Sequence, residues 1–415
     1  MKRYSLVKWN PECLRRLCSG AVLVLLSGSL LACGDGNQDL SGPEPPAPPI
    51  DEGQPPAAGC ADGVLASGAL YRVCFPGSWN GDLVLFAHGY VAPQQELAIP
   101  EEMVGGQPAS SLVTGMGYAY ATTSFRANGL VAADAVEDMV QLADTVDARY
   151  RPDPARRVVV GFSEGGLVAT LSAERHADRF AGALSGCGPI GDFPAQLAYI
   201  DDFRVVFDYF YPGLLPGDAL NIPDSVRDHW DELYTPAIVV ALAAKPDAAR
   251  ELLQVTGAPA AGIDLRSIAE TTIGLLWYNV FGTADAQQRL GGQPFNNADR
   301  VYSGSSDDAA LNAGVERFRA DPAALPGLAR FATSGALSVP VVNLHTTGDP
   351  IVPFRQSAMY ADKVAAAGST ARFTQIDVER FGHCTFEAPE LLGAFSQLWE
   401  HIGPRPAALT ALELR

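Results

Sequence analysis

The stretch Arg157-Val158-Val159-Val160-Gly161-Phe162-Ser163-Glu164-Gly165-Gly166-Leu167-Val168-Ala169-Thr170-Leu171 decides how the chain reads. Three consecutive β-branched residues, Val158 to Val160, form a short apolar run suited to a buried strand. From about Glu164 to His176 the pattern is helical. Between the two lies Ser163, flanked two residues on either side by Gly161 and Gly165. A strand that turns sharply into a helix leaves no room for side chains at those two places. Gly166 lets the helix pack close to the sheet. The turn lifts the serine hydroxyl clear of the strand and sets it at a helix N-terminus, where negative charge is favoured.

Working outward, strands and helices alternate. Asp82 to Ala87 is an apolar run that ends at His88-Gly89, and Gly117 to Thr122 is a second. Residues 132–150 place Val136, Met139, Val140, Leu142, Ala143 and Val146 on one side of a helix, with Asp134, Glu137, Asp138 and Asp144 among them. A strand fits 180–185. The alternation stops over about 190–336, which reads as helical and aromatic-rich. It resumes with strands at 339–344 and 371–378 and helices at 354–367 and 388–401. This pattern predicts an α/β fold with a mostly parallel, doubly wound sheet and a helical cap inserted before the acid-bearing strand.

The Gly-x-Ser-x-Gly turn in this strand–helix context resembles the α/β-hydrolase family, over about residues 75–402. The resemblance implies a serine nucleophile, Ser163, with a histidine base late in the chain and an acid between them in order. His383, in Phe381-Gly382-His383-Cys384, follows the last predicted strand and is the expected base. His345, at the end of a strand, is its main rival. His176 and His229 fall on predicted helices and His401 near the final one, where surface positions account for them. Asp349, in Gly348-Asp349-Pro350-Ile351-Val352-Pro353, sits on the loop where the family carries its acid, and Asp377 is the alternative. The expected oxyanion donors are the backbone N–H groups of Glu164 and Tyr90. Tyr90 belongs to His88-Gly89-Tyr90, which is similar to the family's His-Gly loop, with Gly89 as its loop glycine. A contribution from the Tyr90 hydroxyl is also open. Aromatic side chains of the cap, Phe193 to Tyr211 and Trp277 to Phe295, are expected mostly to form its core.

The N-terminal 32 residues read as a targeting segment. Lys2, Arg3, Lys8, Arg15 and Arg16 precede a short apolar stretch, Ala21 to Leu31, that ends in Leu30-Leu31-Ala32-Cys33. The ending resembles a bacterial lipobox, which implies removal of residues 1–32 and lipidation of Cys33. Residues 33–58, rich in proline, are then a lipid-anchored linker. The hydrolase domain is expected over 59–404, with a tail over 405–415. The chain has seven cysteines. Cys13 and Cys18 leave with the signal, and Cys33 carries the lipid. Cys60 and Cys74 are close in sequence and both precede the first strong strand, so they pair, which leaves Cys187 with Cys384.

The formal net charge is −18, and a surface this acidic repels phosphate backbones, so nucleic acid is not an expected partner. No Cys/His cluster has zinc spacing and no acidic loop has the calcium pattern, so neither metal nor cofactor is expected. The expected reaction is hydrolysis of a small-molecule or polymeric carboxylic ester through an acyl-enzyme, at a membrane reached through Cys33. The same triad would serve a peptidase or amidase of prolyl-oligopeptidase type, or an acyltransferase. A ligand-binding lipoprotein without catalysis is the reading from another class.

Overall fold

A computed structural model describes residues 57–104, 106–150 and 156–404. The signal segment, Cys33, most of the linker and the tail 405–415 lie outside the described residues.

The sheet is built on strands whose side chains are buried on both faces. β3 (Asp82–Ala87) and β6 (Ala119–Thr123) are buried at every position. Alternate residues of β3 point to opposite faces. Leu83 and Leu85 pack with Val136, Met139 and Leu142 of α1 (Ala132–Tyr150). Val84 and Phe86 pack with Val113 on one short helix and with Leu398 on the closing helix, Ala388–Ile402. β7 (Arg156–Phe162) is divided in the same way: Val159 faces the first cluster, Val158 and Val160 the second. A strand that feeds two cores needs apolar residues at consecutive positions, which explains the three valines in a row.

Eight strands form this sheet in the order β1-β2-β6-β3-β7-β8-β9-β10. β1 (Gly59–Val64) and β2 (Leu70–Phe75) pair antiparallel, as do β2 and β6. Every pairing from β6 onward through β3, β7, β8 (Gly182–Gly186), β9 (Val341–Gly348) and β10 (Phe373–Phe381) is parallel. A two-stranded hairpin, β4 (Met103–Val104) with β5 (Gln107–Pro108), stands apart. α1 and α2 (Glu164–Arg175) contribute to one core, the closing helix to the other. The sheet is therefore doubly wound, as the alternating pattern predicts.

Some boundaries move. The strand predicted at 371–378 begins at Phe373, after a short turn over Thr370–Arg372, and runs to Phe381 through an irregularity between Val378 and Phe381. The strand predicted at 339–344 runs instead from Val341 to Gly348, so His345 lies inside it. Parallel pairing to β10, up to Gly348 with Phe381, extends the strand beyond its apolar run. The strand expected at 180–185 is shifted to Gly182–Gly186. Between β8 and β9 the chain is mainly helical. The longest pieces are α3 (Phe193–Phe210) and α4 (Leu265–Leu290). Asp192 and Asp264 cap them, each accepting a hydrogen bond from a backbone N–H three residues on. Gly291, in the left-handed conformation, ends α4.

Candidate active site

Ser163 sits between β7 and α2 with φ 57° and ψ −124°, a conformation that a side chain rarely adopts. Its neighbours hold it there. The Ser163 N–H donates to the Gly186 carbonyl on β8 at 2.8 Å. A Cβ on Gly161 would overlap the Gly165 carbonyl, and one on Gly165 would overlap the Ala87 carbonyl at the end of β3. A Cβ on Gly166 would come within 2.8 Å of the Gly186 oxygen. The glycines on either side of Ser163 thus let three strands and a helix converge on one turn.

His383 lies on the loop after β10. Its Nε2 is 2.8 Å from Ser163 Oγ and its Nδ1 is 2.7 Å from Asp349 Oδ2. Asp349 follows β9 and is fully buried. Its Oδ1 accepts from the N–H groups of Ile351 and Val352, both at 2.9 Å. Burial pushes the Asp349 carboxyl up, but the charge of His383 and hydrogen bonds from His345 and His383 outweigh it and hold it below its ordinary value. Asp349 is thus an anion at neutral pH, aimed at the one ring nitrogen that must keep its proton. The three side chains come from the ends of β7, β9 and β10, in the chain order Ser, Asp, His.

The rival residues have other partners. Asp377 is exposed on β10 and accepts from Gln375. His401 approaches Thr374, His229 the Ser225 carbonyl, and His176 the carboxylate of Glu137. His345 is different. It is buried behind Asp349, with Nε2 2.9 Å from the Val352 carbonyl and 3.4 Å from Asp349 Oδ2. Its Nδ1 is 2.9 Å from Ser357 Oγ, which accepts from Asn343 Nδ2 at 3.0 Å. Ser357 therefore has its own proton to give to Nδ1, and the His345 proton sits on Nε2, facing the acid loop. Sequence reasoning identified His345 only as a rival base. Its role as a support for the acid depends on Ser357 and Asn343, which no motif marks.

At the other side of Ser163, the loop expected to supply the second oxyanion donor follows β3. A Cβ on Gly89 would lie 3.5 Å from Ser163 Cβ, so the loop passes directly over the nucleophile. The Tyr90 N–H makes no hydrogen bond among the described residues. The Glu164 N–H is at the first position of α2, where no intrahelical carbonyl reaches it. His88 is buried, stacks on Phe125 at 4.0 Å and donates from Nδ1 to the Gly89 carbonyl at 2.6 Å, bracing the loop. The Tyr90 hydroxyl does not turn to the nucleophile; it donates to the Phe281 carbonyl on α4 at 3.4 Å.

The Glu164 side chain turns away from the N–H it carries. Its Oε1 accepts from Val131 and Ala132 at 2.8 and 3.0 Å, at the start of α1. Burial raises its carboxyl to about 7 against the lowering effect of those two bonds.

Cys187, after β8, is bonded to Cys384, the residue after His383, with Cα atoms 5.5 Å apart. Both cysteines have positive φ, 46° and 54°. Cys60 and Cys74 are bonded across the β1–β2 pair. Cys187, His383 and Cys384 lie close enough to suggest a metal group, but both sulfurs are committed to the disulfide and cannot act as thiolate ligands.

An esterase family model matches residues 125–226, the segment that contains β7, the turn at Ser163 and β8. The chain has an α/β-hydrolase fold. No curated protein matches its sequence. Among solved structures, an acylaminoacyl peptidase bound to a peptidyl chloromethyl ketone is similar over 83% of this chain and 41% of its own, at 10% identity and TM-score 0.41. A puromycin-hydrolysing peptidase of Mycobacterium tuberculosis is similar over 83% of this chain and 39% of its own, at 15% identity and TM-score 0.43. An esterase of Pyrococcus furiosus is similar over 82% of this chain and 86% of its own, at 11% identity and TM-score 0.39. The chain thus spans about two fifths of the length of the two peptidases. The esterase family match covers the turn that carries Ser163, and the Ser–His–Asp chain is the arrangement by which a serine hydrolase works.

Proposed function

We propose that the protein is an exported carboxylic-ester hydrolase that works through an acyl-enzyme. The observation that carries the reading is the continuous hydrogen-bond chain from Ser163 Oγ through His383 to Asp349, at 2.8 and 2.7 Å. A serine hydroxyl is a weak nucleophile until a base takes its proton. In this reading His383 Nε2 takes it as Ser163 Oγ attacks the ester carbonyl. Asp349 holds the imidazole in the tautomer that accepts at Nε2 and stabilises the imidazolium that forms. The Tyr90 and Glu164 N–H groups meet the developing oxyanion. His383 then returns the proton to the departing alcohol, and a water repeats the sequence to free the acid. The esterase description of the matching family model favours an ester over an amide.

Treatment of the wild type and Ser163→Ala with a fluorophosphonate probe tests the nucleophile. A panel of p-nitrophenyl esters beside an aminoacyl anilide tests the bond. Labelling of the wild type alone, with ester turnover, is the expected result. Anilide turnover above ester turnover would move the reading to a peptidase, and an unlabelled folded wild type would remove catalysis from it.

Export and anchoring belong to the same proposal. Two disulfides suit an oxidising compartment, and the residues up to Cys33 have the wording of a lipidated export signal. Fatty-acid labelling of the expressed full chain is expected in the wild type and not in Cys33→Ser. Equal labelling of both would sink the anchor.

A further inference from the structure

Helix α4 crosses from one side of the candidate site to the other. Gly274, Tyr278 and Gly282 are spaced four residues apart, so they share one face of it. At one end of that face a Cβ on Gly274 would lie 3.2 Å from Ile351 Cδ1. Ile351 is on the acid loop and its N–H holds Asp349. At the other end a Cβ on Gly282 would lie 3.3 Å from the Tyr90 hydroxyl, on the loop after β3. The two glycines let the helix backbone come close to both loops, and the side chain midway between them is a tyrosine.

Tyr278 is placed between the two halves of the machinery. Its ring is 5.8 Å from that of Tyr90 and 5.0 Å from that of Trp277, which stacks on Phe281. These contacts fix the ring. The hydroxyl, by contrast, makes no hydrogen bond among the described residues, although Tyr278 is only partly exposed. Burial raises its pKa, and the carboxylates of Asp349 and Glu164 act in the same direction. It remains a neutral O–H donor throughout the working pH range.

We propose that Tyr278 is a substrate-contact residue, whose hydroxyl donates a hydrogen bond to the ester bound at Ser163 and whose ring limits the length of the acyl group. The proposal rests on the ester-hydrolase reading and deepens it. Its physical basis is that a fixed ring with a free donor, on the helix face between the acid loop and the Tyr90 loop, discriminates by hydrogen bonding and by shape.

Tyr278→Phe removes the hydroxyl alone, and Tyr278→Ala removes the ring. Wild type and both variants are compared in kcat/KM over p-nitrophenyl esters of increasing acyl length, in the fraction of Ser163 titrated by fluorophosphonate, and in Tm. Tyr278→Phe is expected to lower kcat/KM about five- to tenfold, the loss of one hydrogen bond, with the titrated fraction and Tm unchanged. Tyr278→Ala is expected to shift the preference toward longer acyl chains. Wild-type kcat/KM in Tyr278→Phe, or a fall in its Tm that accompanies the loss, would overturn the contact. An unchanged chain-length profile in Tyr278→Ala would overturn the length limit. A wild type whose Ser163 is not labelled would instead overturn the hydrolase reading itself, so the two failures are distinguishable.

Discussion

The two disulfides of this protein hold regions with opposite roles. Cys60–Cys74 joins β1 to β2 at the antiparallel edge of the sheet, directly across the strand pair. β1 is exposed along almost its whole length, and the ladder of backbone hydrogen bonds already holds it. Cys187–Cys384 closes a span of 197 residues and ties the loop after β8 to the residue that follows His383. No strand pair does that work, because β9 lies between β8 and β10. The contrast teaches that the covalent bond matters where no strand pairing joins the two segments, and at the site one of those segments carries the base.

The largest effect should come from the acid at the site. Asp349→Asn leaves the loop nearly isosteric. It removes the anion that His383 Nδ1 addresses and favours the wrong tautomer. Ester kcat should fall about 10³- to 10⁴-fold, with the fold retained by circular dichroism. A loss of less than tenfold would mean that Asp349 is a loop-former and not the acid.

Next comes the bond that separates the two regions. Cys187→Ser with Cys384→Ser frees the His383 loop. A displacement of about 1 Å costs up to about a hundredfold in rate, so kcat should fall about ten- to a hundredfold while Ser163 still labels, more slowly. Stability should fall as well, by about 2–4 kcal/mol for a native disulfide, read from denaturant unfolding. If kcat is unchanged in the folded double variant, backbone contacts alone hold the histidine and the contrast drawn between the two bonds disappears.

A smaller effect concerns the carboxyl beside the nucleophile. Glu164 titrates near 7 in the fold, raised from 4.5. A group raised in this way contributes stability that is complete below about pH 4.5. That contribution is lost as pH rises through about 7, because ionisation in the buried site is penalised. Glu164→Gln keeps an acceptor for the Val131 and Ala132 N–H groups and cannot ionise. The wild-type Tm should therefore fall relative to that of the variant between pH 5 and pH 8. Parallel Tm curves would show that Glu164 is ionised in the fold at all these values.

The site was legible in the sequence to different depths. Ser163, Asp349 and His383 each follow a strand that the pattern predicts, and each sits beside residues whose types report a backbone demand: Gly161 and Gly165, Pro350, Gly382. A local rule could reach them. The parallel sheet was legible for the same reason, since the consecutive apolar residues of β3 and β7 fit burial on both faces. The supports were not. His345 serves Asp349 through Ser357, twelve residues on, and Tyr278 meets Tyr90 from α4, more than a hundred residues after Ser163. Nothing in the periodicity of 190–336 tells a ring that fills the core, such as Phe203 or Phe207, from one that packs against Tyr90, such as Tyr278. The difference lies in which helix face meets which loop, and that is set by packing between distant segments.

The smallest effect should come from the other disulfide. Cys60→Ser with Cys74→Ser cuts a loop of separation 14 at an edge that the β1–β2 ladder still pairs. β2 remains fixed on its other side by β6, and Val73 and Phe75 stay in the core. Unfolding should therefore begin with fraying of β1, visible as faster amide exchange over Gly59–Val64, and ester kcat and KM should stay within about twofold of wild type. Activity that falls as far as in the Cys187/Cys384 variant would mean that the antiparallel edge transmits to the triad through β2, β6 and β3. The two bonds would then differ in position but not in role.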